Sequence, residues 1–317
     1  MPEYKLNRRD FIKNATAAGI AFASFPLIGY SKTQNAQSSR PPSINEGAGR
    51  GLAIAKGSDD PKKLVEEAIN AVGGMGQFVS KGDIVVVKPN IGWSRTPEQA
   101  ANTNPDIVEE IVKLCLNAGA KKVKVFDRPC NPAPRTYQRS GIEAAVKRAG
   151  GDIHYVDERK FKEVKIPEGV LLKSWQVYIE ALDADVLINV PIAKHHSTSR
   201  LTMAMKNLMG VLGGNRGDLH NQLGQKLADI NTAIKPNLII LDAYRILTNH
   251  GPNSGTPDDV KLTKQVIVST DPIAVDSYGA TLFGLTGQDL DYVKIGHEMG
   301  LGEMDLSKVS MEIIDVT

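Results

Sequence analysis

Cysteine, aromatic residues and net charge are all scarce in this sequence. Two of its 317 residues are cysteines, Cys115 and Cys130, too few to supply the four thiolates of an iron–sulfur cluster or of an all-cysteine zinc site. The 38 basic and 36 acidic residues give a formal net charge of +2, which disfavours nucleic acid as a partner. Aromatic residues make up 5% of the chain, whereas 41% of it is hydrophobic, enough to form a core. Composition therefore indicates a globular protein and selects no reaction.

The first residues of the chain resemble a twin-arginine export signal. Arg8 and Arg9 precede a Phe-Ile-Lys triplet at residues 11–13, and a moderately apolar stretch follows over residues 15–28. That stretch is too short for a comfortable transmembrane helix, and no lipobox cysteine follows it. The alternative is an amphipathic N-terminal helix with two incidental arginines.

The order of these features predicts three segments. Residues 1–31 are predicted to be the signal peptide, and residues 32–50, rich in Ser, Gln, Asn, Pro and Gly, a flexible linker to a domain over residues 51–317. The predicted partner during export is the twin-arginine translocase. The predicted location is the periplasm or another exported compartment, without a stable membrane anchor.

From residue 51 onward, short apolar runs alternate with helical patterns. Strands separated by helices predict an α/β domain with a mainly parallel, Rossmann-like sheet and helices on both faces. Residues 191–236 interrupt this rhythm and are predicted to form either a large insertion or a small second lobe. The predicted strands are residues 84–88, 123–126, 153–156, 186–190, 238–241, 266–269 and 309–314, and the predicted helices are residues 105–118, 141–149, 219–234, 271–283 and 290–299.

Polar residues follow the predicted strands repeatedly. In an open parallel sheet the carboxyl ends of the strands share one edge, and ligands bind there. Lys88, Asn90 and Asp271 are therefore candidates for holding a cofactor or ligand. Each cluster alone is a weak signal, because loops are polar anyway and Asp-Pro commonly starts a helix.

Histidines and carboxylates near these strand ends suggest a divalent metal ion as one candidate ligand. The proposed ligand set is His196, His220, Asp242 and Asp276. No tight motif such as His-Glu-x-x-His supports it, and adjacent histidines point in different directions, so at most one of His195 and His196 is expected to face the site. The alternative is a pair of solvated loop histidines.

A second candidate ligand is a small anion. Lys206 and Asn207 precede a glycine pair at residues 213–214, so Lys206 could neutralise a carboxylate or phosphate while Asn207 orients it. The alternative is a core helix whose methionines pack. No nucleotide-binding glycine motif follows a strand. Cys115 is expected to be a buried apolar residue and Cys130 a loop thiol, with a disulfide between them the less favoured option.

Several of these clusters together resemble the domain of unknown function 362 family. The matching segments lie within residues 80–285 and read Val-Lys-Pro-Asn at 87–90, Asn-Val-Pro-Ile-Ala-Lys-His-His at 189–196, Met-Lys-Asn-Leu-Met-Gly at 205–210 and Thr-Asp-Pro-Ile-Ala-Val-Asp at 270–276. In that family the second of these loops usually reads Pro-Lys-Leu-Lys-Thr-His. Its second lysine corresponds to Lys194 and its histidine to His196, whereas Ile192 replaces the first lysine.

The resemblance implies an α/β fold and a shared polar cleft, without a settled reaction. Many relatives carry a ferredoxin-like domain with iron–sulfur clusters, and no such cluster is expected from this chain alone. The sequence thus predicts an exported protein whose strand-end cleft binds a metal ion or small anion, as a candidate redox or isomerising enzyme. The catalytic candidates are Lys194, His196, Lys206 and Asn207. The alternatives are a non-catalytic periplasmic binding or accessory protein, and a structural assembly partner.

Overall fold

The computed structural model describes residues 51–317, and the predicted signal peptide and linker lie outside the described residues. Within the described range, no helix combines the length and apolar character needed to cross a membrane. The strands are β1 Leu52–Lys56, β2 Ile84–Pro89, β3 Lys122–Val125, β4 Asp152–Ile153, β5 Phe161–Lys165, β6 Ser174–Tyr178, β7 Val186–Val190, β8 Ile192–His196, β9 Arg200–Thr202, β10 Leu238–Leu247, β11 Val260–Ser269 and β12 Met311–Asp315. The helices are α1 Pro61–Ala71, α2 Pro105–Asn117, α3 Ala133–Arg139, α4 Ile142–Arg148, α5 Ile179–Leu182, α6 Ala204–Asn207, α7 Leu223–Ala233, α8 Pro272–Thr281 and α9 Asp291–Glu298.

Local sequence signals account for the ends of the longer helices. Asn104 caps α2 by accepting the backbone N–H of Asp106, and Pro105 occupies the first helical position, where no N–H is needed. After α2 the chain turns at Gly119, whose φ of 99° suits glycine. The predicted helix at residues 105–118 therefore forms almost as expected.

The main sheet is mostly parallel, with the strand order β12-β1-β11-β10-β7-β2-β3-β4. Neighbouring strands from β10 through β7, β2 and β3 to β4 run parallel, which confirms the predicted α/β fold. β8 pairs with the distal half of β10 and forms a hairpin with β9. β5 and β6 form a separate antiparallel hairpin outside the main sheet.

The sheet departs from the predicted pattern at β11. This strand runs antiparallel to both β10 and β1, so the sheet is mixed. In the register of β10 and β11, Ser269 lies opposite Ile239 near the amino end of β10. The carboxyl end of β11 therefore lies at the edge of the sheet opposite to the carboxyl ends of β2, β3 and β7.

Helices cover both faces of the sheet. Alternate residues of β2 point to opposite faces, so Val85 and Val87 belong to one apolar cluster and Val86 to the other. The first cluster includes buried residues of α1, α2 and α4, and the second includes buried residues of α7, α8 and α9. Each face is thereby sealed from water, as expected for a parallel sheet.

Residues 191–236 form an insertion between the neighbouring strands β7 and β10. Their buried side chains, among them Met203, Met205 and Leu227, belong to the same apolar cluster as Val86 of the central sheet. The segment therefore shares the core of the domain. It contains β8, β9 and α6, which supply several side chains to the cavity described below.

Candidate functional site

A cavity of about 710 Å³ opens at the carboxyl ends of β2 and β3, next to the β8–β9 hairpin and α6. This is the edge of the sheet at which the strand-end argument expects a ligand. The residues of the predicted site that line it are Lys88, Asn90, Lys194, His196, Lys206, Asn207 and His220.

The floor of the cavity is a buried ion pair. Nζ of Lys88 lies 3.0 Å from Oδ1 of Asp127 and donates a hydrogen bond of 2.9 Å to Oδ1 of Asn207. Burial lowers the pKa of Lys88, and the neighbouring Asp127 carboxylate partly opposes that shift. Lys88 is thus a cation whose charge is already balanced within the protein.

The amide of Asn207 is fully used in holding this floor together. Its Nδ2 donates to the carbonyl oxygen of Lys88 and to Oδ1 of Asn189, while its Oδ1 accepts from Lys88 and from Nδ2 of Asn90. All hydrogen-bonding positions of the amide are therefore occupied. Asn207 therefore positions its neighbours. It has no free N–H group with which to orient a ligand directly, the role predicted from the sequence.

Lys194 and Lys206 are buried cations of a different kind. Nζ of Lys194 donates to Oδ1 of Asn90 at 3.2 Å and to the carbonyl oxygen of Ala101, and Nζ of Lys206 contacts Sδ of Met209 at 3.7 Å. Among the described residues neither amine has a carboxylate within ion-pair distance. Burial lowers the pKa of Lys194 to about 7 and that of Lys206 to about 8.

Two arginines extend the positive surface of the cavity. Arg128 is paired with Glu158 at 3.0 Å, whereas the guanidinium of Arg216 donates to the carbonyl oxygens of Arg128 and Pro129. Sequence reasoning missed Arg216, and the signal that could have revealed it is its place directly after the glycine pair and Asn215. With Lys88 paired to Asp127, the lining retains three cations without a carboxylate partner in residues 51–317, namely Lys194, Lys206 and Arg216.

Two histidines of the cavity lining, His196 and His220, lie with their rings face to face. The rings of His196 and His220 are stacked, with their centroids 6.4 Å apart. Nδ1 of His196 accepts the backbone N–H groups of Thr198 and Ser199, so in the neutral ring the proton is on Nε2. Nδ1 of His220 faces the carbonyl oxygen of Gly217 and must donate to it. Burial, followed by the charge of Lys206, lowers the pKa of His196 to about 3, which keeps the ring neutral.

The adjacent histidines point to different sides, because they lie on a strand rather than in a loop. His195 does not line this cavity, and its Nδ1 accepts the backbone N–H of Gly251 at 3.0 Å. The expectation that at most one of the pair faces the site therefore agrees with the geometry of β8. The predicted helix at residues 219–234 begins only at Leu223, so His220 lies in the turn before α7.

Three predicted carboxylates do not reach the cavity. Asp242 accepts the backbone N–H groups of Asn104 and Tyr244, and burial raises its pKa to about 6. Asp276 accepts those of the first two residues of α6, and burial raises its pKa to about 7. Asp271 caps α8 at the opposite edge of the sheet, because β11 runs antiparallel to β10. These side chains hold backbone segments in place.

The four residues of the predicted metal site are therefore not brought together. His196 and His220 are neighbours, but Asp242 and Asp276 are each committed to backbone N–H groups elsewhere. Within residues 51–317, no group of three or more His, Cys, Asp or Glu side chains is arranged to hold a metal ion. The described residues that line the cavity offer mainly hydrogen-bond donors and cations rather than metal ligands.

Both cysteines are free thiols. Cys115 is buried in α2, where burial raises the pKa of its thiol to about 12. Cys130 is exposed at the cavity rim, and its Sγ lies 3.9 Å from Nη2 of Arg216. The less favoured disulfide is thus not formed in this structure.

Comparisons with known proteins place the chain in a family. A thylakoid-associated protein of Synechocystis sp. is 29% identical over 223 residues, which are 66% of this chain and 65% of that protein, slightly less than two thirds of its length. The lactate racemase apoprotein from Thermoanaerobacterium thermosaccharolyticum superposes with a TM-score of 0.45 at 12% identity, covering 73% of this chain and 56% of that one. A protein from Thermotoga maritima gives a TM-score of 0.44 at 11% identity, covering 77% and 60%. The family model described as Domain of unknown function (DUF362) matches residues 85–281, more than half of the sequence, so the chain belongs to the DUF362 family.

Proposed function

We propose that this protein binds a small organic anion, a carboxylate or a phosphate, in the basic cavity and acts on it by proton transfer. The observation that carries the proposal is the group of three cations, Lys194, Lys206 and Arg216, that face one cavity without a carboxylate partner among the described residues. Lys194 and Lys206 are buried and Arg216 is half-buried. Buried cations are costly unless they are paired, and an anionic ligand would supply the missing charge. The cavity volume of about 710 Å³ is within the usual range for small-molecule sites.

The histidine pair supports proton transfer as the chemistry. In their neutral forms His196 presents an Nε2–H donor, and His220, which donates through Nδ1, presents Nε2 as an acceptor. Nε2 of His220 can remove a proton from a bound molecule and return it, while Nε2–H of His196 can donate a hydrogen bond that stabilises the charge left behind. Of the two reaction types expected from the sequence, isomerisation uses this arrangement directly.

We also propose that the protein acts after export by the twin-arginine pathway. The support is the order of Arg8, Arg9, the Phe-Ile-Lys triplet and the apolar stretch in the sequence. This proposal is independent of the cavity.

Calorimetric titration tests the anion site. Propanoate and inorganic phosphate are titrated separately into the protein, and we expect saturable binding of at least one of them. Lys206→Met removes one cation at nearly constant side-chain volume and should weaken that binding at least tenfold, about 1.4 kcal/mol. Lys235→Met, at an exposed position outside the cavity, is the matched control. The proposal would be contradicted if neither anion binds, or if the Lys206→Met variant binds the anion as tightly as the parent protein does.

Anion affinity is expected to fall as the pH rises through about 7 to 8. An anion favours the ammonium forms of Lys194 and Lys206, whose pKa values in the free protein are about 7 and about 8. At lower pH both amines are already protonated, whereas at higher pH binding must draw protons from solution, with up to about tenfold loss of affinity per pH unit for each proton. Titration at a series of pH values in two buffers of different ionisation enthalpy measures the proton uptake. Affinity that is flat or rising over this range would contradict the expectation.

A further inference from the structure

Lys206 is the least committed of the three lysines in the cavity. Lys88 and Lys194 each donate to oxygen atoms, whereas the contact of the Lys206 amine is the thioether sulfur of Met209, a weak acceptor. Within residues 51–317 it has no carboxylate or carbonyl oxygen in hydrogen-bond range. The side chain is nevertheless only 8% exposed and lines the cavity. Its amine is thus buried, directed to the ligand space and not held by the protein.

An amine in these surroundings can serve as a nucleophile as well as a charge. Burial disfavours the ammonium form, and Arg216 nearby acts in the same direction, so a fraction of the amine is neutral near pH 7. Lys194 differs because Asn90 and Ala101 accept its N–H groups and fix it in place. The pKa of Lys194 is lowered further than that of Lys206, so what separates the two lysines is their hydrogen bonding and not their charge. Lys194 is held in place, where a bound carboxylate would favour its ammonium form, and Lys206 is free to reach a carbonyl carbon.

We propose that Lys206 condenses with the carbonyl group of a 2-oxo acid whose carboxylate is bound by Lys194 and Arg216. The inference rests on the proposed function and names its substrate class, since a 2-oxo acid carries an anionic group and an electrophilic carbon side by side. Three cations around one cavity match that pair of groups, with two for the carboxylate and one amine for the carbonyl carbon.

The condensation balances without an oxidant or a reductant. Nζ of neutral Lys206 attacks the carbonyl carbon and forms a C–N bond, and the proton released by nitrogen passes to the former carbonyl oxygen. That oxygen then leaves as water with a second proton, taken from solvent, to which the ammonium form of Lys206 released one proton on becoming the neutral amine. The product is a protonated C=N bond to Lys206, and the overall step exchanges the carbonyl oxygen for the lysine nitrogen with loss of one water. His196 lies close enough for the charge of Lys206 to lower its pKa, and its Nε2–H can donate a hydrogen bond that polarises the carbonyl oxygen during the attack.

Reductive trapping tests the proposal. The protein is incubated with pyruvate and sodium cyanoborohydride, which reduces the C=N bond to a stable carboxyethyl-lysine, and the modified peptide is identified by mass spectrometry. We expect modification on Lys206 and its loss in Lys206→Arg, with the folding of the variant verified by thermal unfolding. The variant Lys235→Arg, changed at an exposed position, is expected to be labelled on Lys206 to the same extent as the parent protein. Acetaldehyde, which has a carbonyl group but no charge, should label Lys206 at least tenfold more slowly.

Propanoate titration on the same preparation separates the two proposals. Propanoate has the carboxylate without the carbonyl group, so its binding depends on the cations alone. Propanoate binding without trapping of pyruvate would overturn the role of Lys206 and leave the anion site standing. Absence of both would overturn the anion site as well. The proposal would also be overturned if pyruvate is trapped on Lys194, or on exposed lysines to the same extent as on Lys206. Labelling of Lys206 by acetaldehyde as fast as by pyruvate would overturn it too.

Discussion

Replacing Gly210 with alanine is expected to lower the free energy of unfolding by about 3–5 kcal/mol, the usual cost of breaking a buried ion pair. A Cβ atom at this position would overlap Oδ1 of Asp127 and lie 2.5 Å from Nζ of Lys88. Both groups are almost fully buried and cannot move into water. The carbonyl oxygen of Gly210 also accepts the backbone N–H of Arg128 at 2.9 Å, so the main chain cannot retreat without losing that bond.

Urea unfolding followed by tryptophan fluorescence measures the effect of Gly210→Ala. Gly76→Ala is the matched control, because a Cβ there meets no atom within 4 Å and the backbone φ is not in the left-handed region. The control is expected to change stability by less than about 0.5 kcal/mol. We also expect the Gly210→Ala variant, where it remains folded, to bind anions more weakly, because Lys88 and Asp127 form the floor of the site. Equal stability of the two variants would refute the proposed packing of the ion pair.

The sequence allowed the edge of the sheet that carries the site to be predicted. Lys88 lies at the carboxyl end of β2, and Lys194 lies on β8, the strand that directly follows β7 along the chain. Because β2 and β7 run parallel, the rule that their carboxyl ends meet at one edge applies to both lysines. The same reasoning failed for Asp271, because an apolar run indicates a buried strand but not its direction. β11 follows a hairpin connection from β10 and returns antiparallel, which carries Asp271 to the opposite edge.

The sequence could not tell which charged groups are already paired. Neither Lys88 nor Lys206 has an acidic residue within three positions in the sequence. In the fold Lys88 nevertheless meets a carboxylate, that of Asp127, 39 positions further along the chain, whereas Lys206 meets none among the described residues. Asp242 and Asp276 were expected at a metal ion because their residue type suits one. Tertiary contacts instead direct each carboxylate to backbone N–H groups, at least one of them on a distant segment. Such pairings depend on the folded arrangement, and no spacing within the sequence predicts them.

Replacing Asp276 with alanine is expected to lower both the free energy of unfolding and the affinity for anions. The two oxygens of this fully buried carboxylate accept the N–H groups of Ala204 and Met205, which open the helix that carries Lys206. Without the carboxylate two buried donors lose their partner, at a cost of about 1–3 kcal/mol each. The start of α6 should then shift and displace Lys206 from the cavity. Urea unfolding and propanoate titration measure the two effects.

The loss of stability in Asp276→Ala should be larger at about pH 5 than at about pH 8. Burial raises the pKa of Asp276 in the folded protein from the ordinary 3.8 to about 7. Between these values the native state binds more protons than the unfolded state, so the contribution of this group to stability falls as the pH rises and levels off above about 7. The variant lacks this contribution. A mutational effect that is larger at the higher pH would contradict the assignment.

Asp271→Ala separates the effect on the site from the effect on stability. Asp271 also accepts backbone N–H groups, those of Ile273, Ala274 and Glu303, but it lies at the opposite edge of the sheet. We expect its replacement to lower stability by a similar amount and to leave propanoate affinity within about twofold of the parent, because additivity holds for distant sites. If both variants bind propanoate as the parent does, Asp276 does not position Lys206. If both lose binding, the loss reflects general destabilisation, and Asp276 has no specific role in the site.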